Sequence, residues 1–98
     1  MARFDVYRSG ETWMLDVQAD SLPYLKTRLV VPLYPADRAP KPLIAVLNPA
    51  FRFGDGELAM LTQYAAAVPE RELGGAVGSL AVEDYAIGRA LDMLLTGI

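Results

Sequence analysis

Residues 4–18, FDVYRSGETWMLDVQ, contain two runs in which apolar side chains recur at every second position. Phe4 and Val6 define the first run, and Trp13 and Leu15 define the second. A period of two is typical of a half-buried strand, and a glycine-containing turn between two such runs favours an antiparallel hairpin. The stretch therefore predicts that the fold begins with two paired strands.

The segment after a loop at 19–24 continues the strand pattern. Residues 25–33 predict a third strand, and Pro32 within it predicts an edge position or a bulge, because proline has no backbone N–H to give to a neighbouring strand. The prolines between residues 35 and 42 predict a loop. The short apolar run Leu43–Leu47 predicts another strand, and 51–53 continues the pattern up to a turn at 54–56.

Residues 57–68 carry two conflicting signals. Their Glu, Leu, Ala, Met and Gln content favours a helix by intrinsic propensity, whereas the alternation of Leu58, Met60, Thr62 and Tyr64 fits one face of a strand. Composition alone predicts a helix here, ending at the latest at Pro69.

The clearest helix is predicted over 82–95, where Ile87, Leu91 and Leu94 stand at helical spacing and Gly97 provides a stop. Ser79 is a candidate cap for its start. An antiparallel sheet of about five strands followed by one helix indicates an α+β or small-barrel class.

Composition bounds both the size and the chemistry of the protein. Its 98 residues predict one domain spanning 1–98, and 53% hydrophobic content leaves apolar surface for a second interface such as a dimer contact. Cysteine and histidine are both absent. Thiol nucleophiles, thiolate metal sites and histidine-activated serines are therefore excluded.

The charge balance bears on partners and location. A net charge of −3 disfavours a broad nucleic-acid-binding face, and no apolar run reaches the length of a membrane span. Residues 1–5 lack the basic and apolar pattern of a signal peptide. We expect a cytoplasmic protein that is not associated with a membrane.

Two sets of charged residues are the remaining candidates for chemistry. The carboxylates are interpreted as a solvated strand residue, Asp16, and as first-turn helix charges, Glu83 and Asp84, so that we expect neither a catalytic residue nor a metal site. Four arginines are interpreted as scattered surface charges, with an anion site as the alternative. The arginines are Arg3, Arg8, Arg28 and Arg52.

An ordered set of motifs resembles the CcdB toxins of bacterial toxin–antitoxin modules. Residues 15–20, Leu-Asp-Val-Gln-Ala-Asp, are similar to the family's Val-Asp-Val-Gln-Ser-Asp, and residues 28–33, Arg-Leu-Val-Val-Pro-Leu, are similar to its Arg-Met-Val-Ile-Pro-Leu. Gly54-Asp55, residues 60–62, Val68-Pro69 and Gly97-Ile98 follow in the family's order. The likeness extends along the whole chain.

This resemblance implies an SH3-like barrel of antiparallel strands, shared with the MazF ribonucleases, plus a C-terminal helix, and it makes 57–68 a strand. It also implies a homodimer that acts without catalysis or cofactor. The family's dimer poisons DNA gyrase through its A subunit. A CcdA-like antitoxin reverses the poisoning, and the toxin contacts DNA only through the antitoxin complex, which represses the operon.

The family's target-binding surface carries over residue by residue. Its Phe-Trp-Gly-Ile ending corresponds to Leu95, Thr96, Gly97 and Ile98, its preceding Asn corresponds to Asp92, and its loop isoleucines correspond to Ser21 and Leu22. The candidate target-binding residues implied by the resemblance are thus Leu22, Asp92, Leu95, Thr96, Gly97 and Ile98. The scaffold motifs are retained, whereas this surface departs from the family.

Two alternatives follow from these departures and from the fold. A CcdB-like dimer that has lost gyrase poisoning would act mainly as an antitoxin-binding regulator. A ribonuclease on the same barrel would cleave RNA, although the absence of histidine and of a basic groove disfavours it.

Overall fold

A computed structural model of the protein describes residues 2–98 and consists mainly of antiparallel strands with one C-terminal helix. The strands are Asp5–Ser9 (β1), Thr12–Asp16 (β2), Thr27–Pro35 (β3), Ala50–Phe53 (β4), Gly56–Met60 (β5), Ala66–Pro69 (β6) and Gly78–Ser79 (β7). The helix, α1, spans Asp84–Thr96 and follows a short 3₁₀ turn at Ala81–Glu83.

All seven strands form one curled sheet in the order β4-β5-β3-β2-β1-β7, with β6 paired to β3 beside this path. Every pairing is antiparallel. The α+β class and the SH3-like barrel with a C-terminal helix are confirmed.

The predicted hairpin is confirmed as β1 and β2. Val6 lies opposite Leu15 and Ser9 lies opposite Thr12, so the apolar positions of both strands share one face. Gly10 has a φ of 63°, a left-handed conformation that glycine adopts without the steric cost of a Cβ atom. The local alternation and the turn residue therefore determine this element together.

Strand β3 lies in the middle of the sheet, which corrects the edge position predicted from Pro32. One side of β3 pairs with β2, and the other side is shared between β6 at Thr27–Val30 and β5 at Leu33–Pro35. Pro32 lies where the partner changes, and its carbonyl accepts the Leu61 N–H at 3.0 Å. In an antiparallel strand the N–H and C=O of one residue point to the same side. The missing N–H of Pro32 therefore faces this gap and leaves the β2 ladder intact.

Residues 43–47 form no strand, so that prediction was wrong. The segment makes a turn in which the Asn48 N–H donates to the Ile44 carbonyl at 2.6 Å and the Asn48 side-chain oxygen accepts the Ile44 N–H at 3.0 Å. The Asn48 amide also donates to the Met60 carbonyl at 3.0 Å. A local asparagine side chain thus competes successfully with strand pairing.

The helix predicted from the composition of 57–68 is also wrong, and the strand implied by the resemblance is confirmed for most of the segment. β5 and β6 are separated by a 3₁₀ turn at Thr62–Tyr64. Both strands pair with β3, and this pairing outweighs the weak local helix propensity.

Helix α1 packs against the core of the sheet through Ile87 and Leu91 of the predicted stripe, whereas Leu94 of that stripe is 39% exposed. Ile87 and Ala90 are buried in the main core. Their core partners are Val6, Leu15, Val17, Val31, Leu33, Phe51, Leu58, Met60 and Leu80. The Ser79 hydroxyl accepts the Ala81 N–H at 3.1 Å, so the expected cap serves the 3₁₀ turn that leads into α1.

The two ends of the sheet meet through side-chain packing. A Cβ atom built on Gly78 of β7 would lie 2.5 Å from Cζ of Phe53, which belongs to β4. The Phe53 ring also packs edge-on against Trp13, with ring centroids 5.7 Å apart. We call this contact between β4 and β7 the barrel seam. A side chain at position 78 would have to displace the ring, which occupies that space next to glycine.

Candidate target-binding surface

The end of α1 is built by the hydrogen bonds that terminate the helix. The Gly97 N–H donates to the carbonyls of Asp92 and Met93, at 3.2 and 3.0 Å, and Gly97 adopts a φ of 80°. This left-handed conformation ends the helix as the sequence predicts. It groups Asp92, Thr96 and Gly97 within one turn, and Ile98 follows directly.

Leu95 and Ile98 are the two most exposed apolar side chains at this helix end, and Leu94 beside them is 39% exposed. Leu95 is 76% exposed and Ile98 is 81% exposed, whereas Leu91, one turn earlier, is half-buried against the core. Thr96 is exposed too, but its hydroxyl donates to the Asp92 carbonyl at 2.8 Å. The surface thus offers two apolar side chains and a glycine without a side chain, and its one hydroxyl is already engaged within the helix.

Leu22 lies in the β2–β3 loop, residues 17–26, and is 45% exposed. Its N–H donates to the Ala19 carbonyl at 3.3 Å. Within residues 2–98, no hydrogen bond or ion pair joins Leu22 to the end of α1. The structure brings the helix-end residues together, and a shared surface with Leu22 stays a prediction.

Asp16 is completely buried, which corrects its expected solvation. Its Oδ2 atom accepts a hydrogen bond from Arg28 Nε at 2.8 Å and lies 2.7 Å from Arg28 Nη2. Arg28 is itself only 4% exposed, so it is not the surface charge that the sequence suggested. The alternation predicts Asp16 on a solvent face, but Tyr7, Val30 and Leu73 form a second small core on that face. When both faces of a strand are covered by other residues, the alternation of apolar and polar residues within that strand does not reveal it.

Burial is the main cause of the raised pKa values of the Asp16 carboxyl and the Tyr7 phenol. Desolvation raises the pKa of the Asp16 carboxyl, and this effect exceeds the opposing hydrogen bonds from the Gln18 N–H and from Arg28. Desolvation also raises the pKa of the Tyr7 phenol, with a further contribution from the negative charges of Asp5, Asp16 and Glu70. Tyr7 is 1% exposed.

The other arginines of the possible anion site are engaged separately. The Arg3 guanidinium lies 4.6 Å from the Phe4 ring centroid and donates to the Val17 carbonyl. The Arg8 guanidinium lies 4.5 Å from the Trp13 ring and donates to the Gly10 carbonyl. Arg52 is exposed on β4. These contacts favour packing and turn stabilisation over an anion site.

Carboxylates do not gather elsewhere in the described chain. Within residues 2–98, no group of three or more Asp or Glu residues is placed to hold a metal ion. Glu83 and Asp84 lie at the start of α1, where negative charge is favourable. In the same part of the chain, no helix is both long and apolar enough to cross a membrane.

A comparison with protein-family models matches residues 3–97 to the family described as CcdB protein. The chain belongs to the CcdB family. The match includes the barrel and all of α1, and it agrees with the strands found at 56–60 and 66–69. No curated protein matches the chain by sequence.

Membership of the CcdB family supports a toxin of a toxin–antitoxin system. The family is one of gyrase-poisoning toxins rather than of enzymes, and in general its members have antitoxin and gyrase partners. The scaffold motifs that carry the resemblance are structural in this chain: Asp16 and Arg28 form the buried pair, and Pro32 lies at the branch of β3.

Proposed function

We propose that this CcdB-family protein is a homodimeric, non-enzymatic inhibitor of DNA gyrase that binds the A subunit and is released by a CcdA-like antitoxin. The target-binding surface consists of Leu22, Asp92, Leu95, Thr96, Gly97 and Ile98. The observation that carries the proposal is the family match over residues 3–97, which extends through α1 to Gly97. The exposed Leu95 lies within the match, and the exposed Ile98 follows it directly.

The chemistry of the helix end suits a protein partner. Gly97 has no side chain, so the backbone of a partner can approach closely. Burial of Ile98 contributes about 1.5–3 kcal/mol when its side chain is fully removed from water. Thr96 offers no large ring, and an aromatic residue at the centre of an interface often contributes about 2 kcal/mol or more. We therefore expect weaker binding to an ordinary gyrase, by about one to two powers of ten.

The remaining partners follow from the same family. A homodimer accounts for exposed apolar residues outside the helix end, such as Leu29, on so small a chain, and a symmetric contact would use the same patch of both copies. DNA is contacted only through the antitoxin complex, neither metal nor cofactor takes part, and the protein works in the cytoplasm, where gyrase acts on DNA.

The experiment restores the family pattern at the helix end. The double variant Thr96→Trp/Asp92→Asn should bind the gyrase A subunit about ten- to a hundredfold more tightly than the original in a calorimetric titration. A matched control, Val82→Trp/Asp84→Asn, introduces the same two residues near the other end of the helix, where both positions are exposed. It should bind like the original protein.

Two results would contradict the proposal. One is a restored variant that binds no better than the control, together with an unchanged affinity after deletion of Gly97 and Ile98. The other is cleavage of RNA by the purified protein, which would indicate a MazF-like ribonuclease.

A regulator without gyrase poisoning is the second candidate, and the Thr96 hydroxyl favours it. This side chain bonds back to the Asp92 carbonyl at 2.8 Å instead of presenting a ring to a target. Expression of the protein with and without antitoxin, combined with a supercoiling assay, separates the two. A regulator binds the antitoxin but neither inhibits growth nor affects supercoiling.

A further inference from the structure

The β2–β3 loop has no apolar anchor of its own over most of its length. The nine consecutive residues Ala19–Thr27 are all exposed, including Leu22, Tyr24 and Leu25. A loop without buried side chains is fixed by hydrogen bonds or is mobile. The hydrogen bonds at its two ends therefore decide how Leu22 is presented.

Side chains replace the strand ladder where β2 and β3 separate. The last main-chain bond there is the Val17 N–H to the Leu29 carbonyl, at 3.0 Å. Beyond it, the Leu29 N–H donates to the Gln18 side-chain oxygen at 3.0 Å, and Arg3 Nε donates to the Val17 carbonyl at 3.2 Å. The start of the loop is thus bonded to β3 and to the N-terminal segment.

Asp16 and Arg28 form the centre of this arrangement. Asp16 Oδ2 accepts from Arg28 Nε, and Asp16 Oδ1 accepts the Gln18 N–H at 3.0 Å. One buried carboxylate therefore ties the β3 side chain to the first residues of the loop. A buried ion pair is costly to desolvate and contributes little net stability compared with apolar residues of similar size. Its stabilising value does not explain its presence, whereas its geometry fixes the loop.

Asp20 extends the arrangement to the exposed part of the loop. Its Oδ1 atom accepts the Arg3 N–H at 2.8 Å and lies 3.9 Å from Arg28 Nη2. At the other end, the Glu70 N–H donates to the Lys26 carbonyl at 2.8 Å. Leu22 therefore lies between two bonded ends of the loop.

The geometry points to Asp16, Arg28 and Asp20 as positioning residues that hold the β2–β3 loop and thereby present Leu22 to the target. This inference rests on the proposed function, in which Leu22 belongs to the target-binding surface. A loop that is already ordered loses less conformational entropy on binding than a mobile loop. Ordering of the loop therefore increases the affinity for the target.

Two variants separate positioning from folding. Asp16→Leu/Arg28→Met replaces the ion pair with apolar side chains and leaves no buried charge unpaired, so the fold is retained. Asp20→Ala removes the acceptor of the Arg3 N–H at an exposed position, and Asp20→Asn keeps an oxygen there and is the matched rescue. Backbone hydrogen exchange at Leu22 and Leu25 reports on the loop, and titration with the gyrase A subunit reports on binding.

The double variant and Asp20→Ala should each exchange the two loop amides about tenfold faster or more. They should bind gyrase about three- to tenfold more weakly. Asp20→Asn should behave like the original in both measurements, which a general loss of stability would not produce.

Unchanged loop exchange in both variants would overturn the inference, and so would faster exchange with unchanged gyrase affinity. In either case the proposed function stands if deletion of Gly97 and Ile98 still abolishes binding. If the original protein does not bind gyrase, the proposed function and the presentation of Leu22 to gyrase both fail, and the exchange data then decide only whether the three residues hold the loop.

Discussion

Two regions of the molecule differ in the hydrogen bonds of their polar side chains: the buried Asp16–Arg28 pair, which joins β2 and β3, and the end of α1. Asp16 and Arg28 are bonded across two strands and to the loop that follows, and both are buried. Thr96 bonds only within its own helix and is exposed. The first region matches the family's motifs, and the second departs from them at Leu95, Thr96 and Asp92. Within residues 2–98, contacts between strands therefore fix the buried pair, whereas the Thr96 hydroxyl of the proposed target-binding surface is bonded only to its own helix.

Removal of one member of the buried pair should have the largest effect. Asp16→Ala leaves the buried Arg28 guanidinium with only the exposed Asp20 carboxylate, 3.9 Å from Nη2, as a counter-charge. The loss of the buried partner should lower the free energy of unfolding by about 3–5 kcal/mol. Urea denaturation measures this loss. Glu11→Ala removes an exposed carboxylate and should stay within about 0.5 kcal/mol. A loss below about 1 kcal/mol for Asp16→Ala would remove the distinction between the two regions.

The barrel seam should be the next most sensitive place. Gly78→Ala puts a methyl group where the Phe53 ring lies, 2.5 Å from its Cζ atom, and should lower stability by about 1–3 kcal/mol. Gly75→Ala meets no atom within 4 Å and serves as the matched control in thermal denaturation. If both variants melt together, the seam does not constrain the barrel. Gly78→Ala/Phe53→Leu should recover part of the loss.

The Tyr7 phenol should give the stability of the interior a dependence on pH. Its folded-state pKa is raised above the ordinary value of 10.0, so the folded protein keeps this proton to higher pH than the unfolded chain. The stabilisation is complete below pH 10 and is lost as the pH rises through the raised pKa. The difference in unfolding free energy between the original and Tyr7→Phe should be constant up to about pH 9 and should decrease above about pH 10. A difference that stays flat to higher pH would contradict the burial effect.

The smallest effect on stability is expected at the helix end. Thr96→Ala removes one exposed hydrogen bond and should change the unfolding free energy by about 0.5 kcal/mol or less. Ile87→Ala, on the buried side of the same helix, should cost about 2–5 kcal/mol and is the internal reference. A large loss for Thr96→Ala in urea denaturation would show that the helix end is part of the structural core after all.

The elements with strong local signals were predictable from the sequence, and those decided by distant partners were not. The hairpin of β1 and β2 has both alternation and a turn glycine, and α1 has helical spacing and Gly97. By contrast, β5 and β6 became strands because β3 offers its free side to both, which the composition of 57–68 does not reveal. Pro32 likewise suggested an edge strand. The change of partner from β6 to β5 along β3, which accommodates this proline, depends on the other strands and cannot be read from β3 alone.

The candidate site shows the same limit more strongly. The helix and its end at Gly97 followed from helical spacing and a terminal glycine, but the exposure of Leu94 and Leu95 did not follow from that spacing. The burial of Asp16 did not follow from any pattern in its own strand. A carboxylate at an alternate position of β2 suggests solvent, but Tyr7, Val30 and Leu73, which come from other segments of the chain, cover that face. In the sequence, the motifs that contain Asp16 and Arg28 indicated the family. They did not indicate that the two side chains form a buried ion pair, which only the structure shows.

The barrel seam also has a mechanical consequence. Within residues 2–98, β4 pairs only with β5 and β7 pairs only with β1, so the two strand ends are joined by ring packing and share no ladder. Separation of these ends breaks van der Waals contacts and no main-chain hydrogen bond between them. The barrel therefore opens most easily at the barrel seam. Local opening of the barrel should begin between Phe53 and Gly78, while β3, which is paired on both sides, keeps its hydrogen bonds.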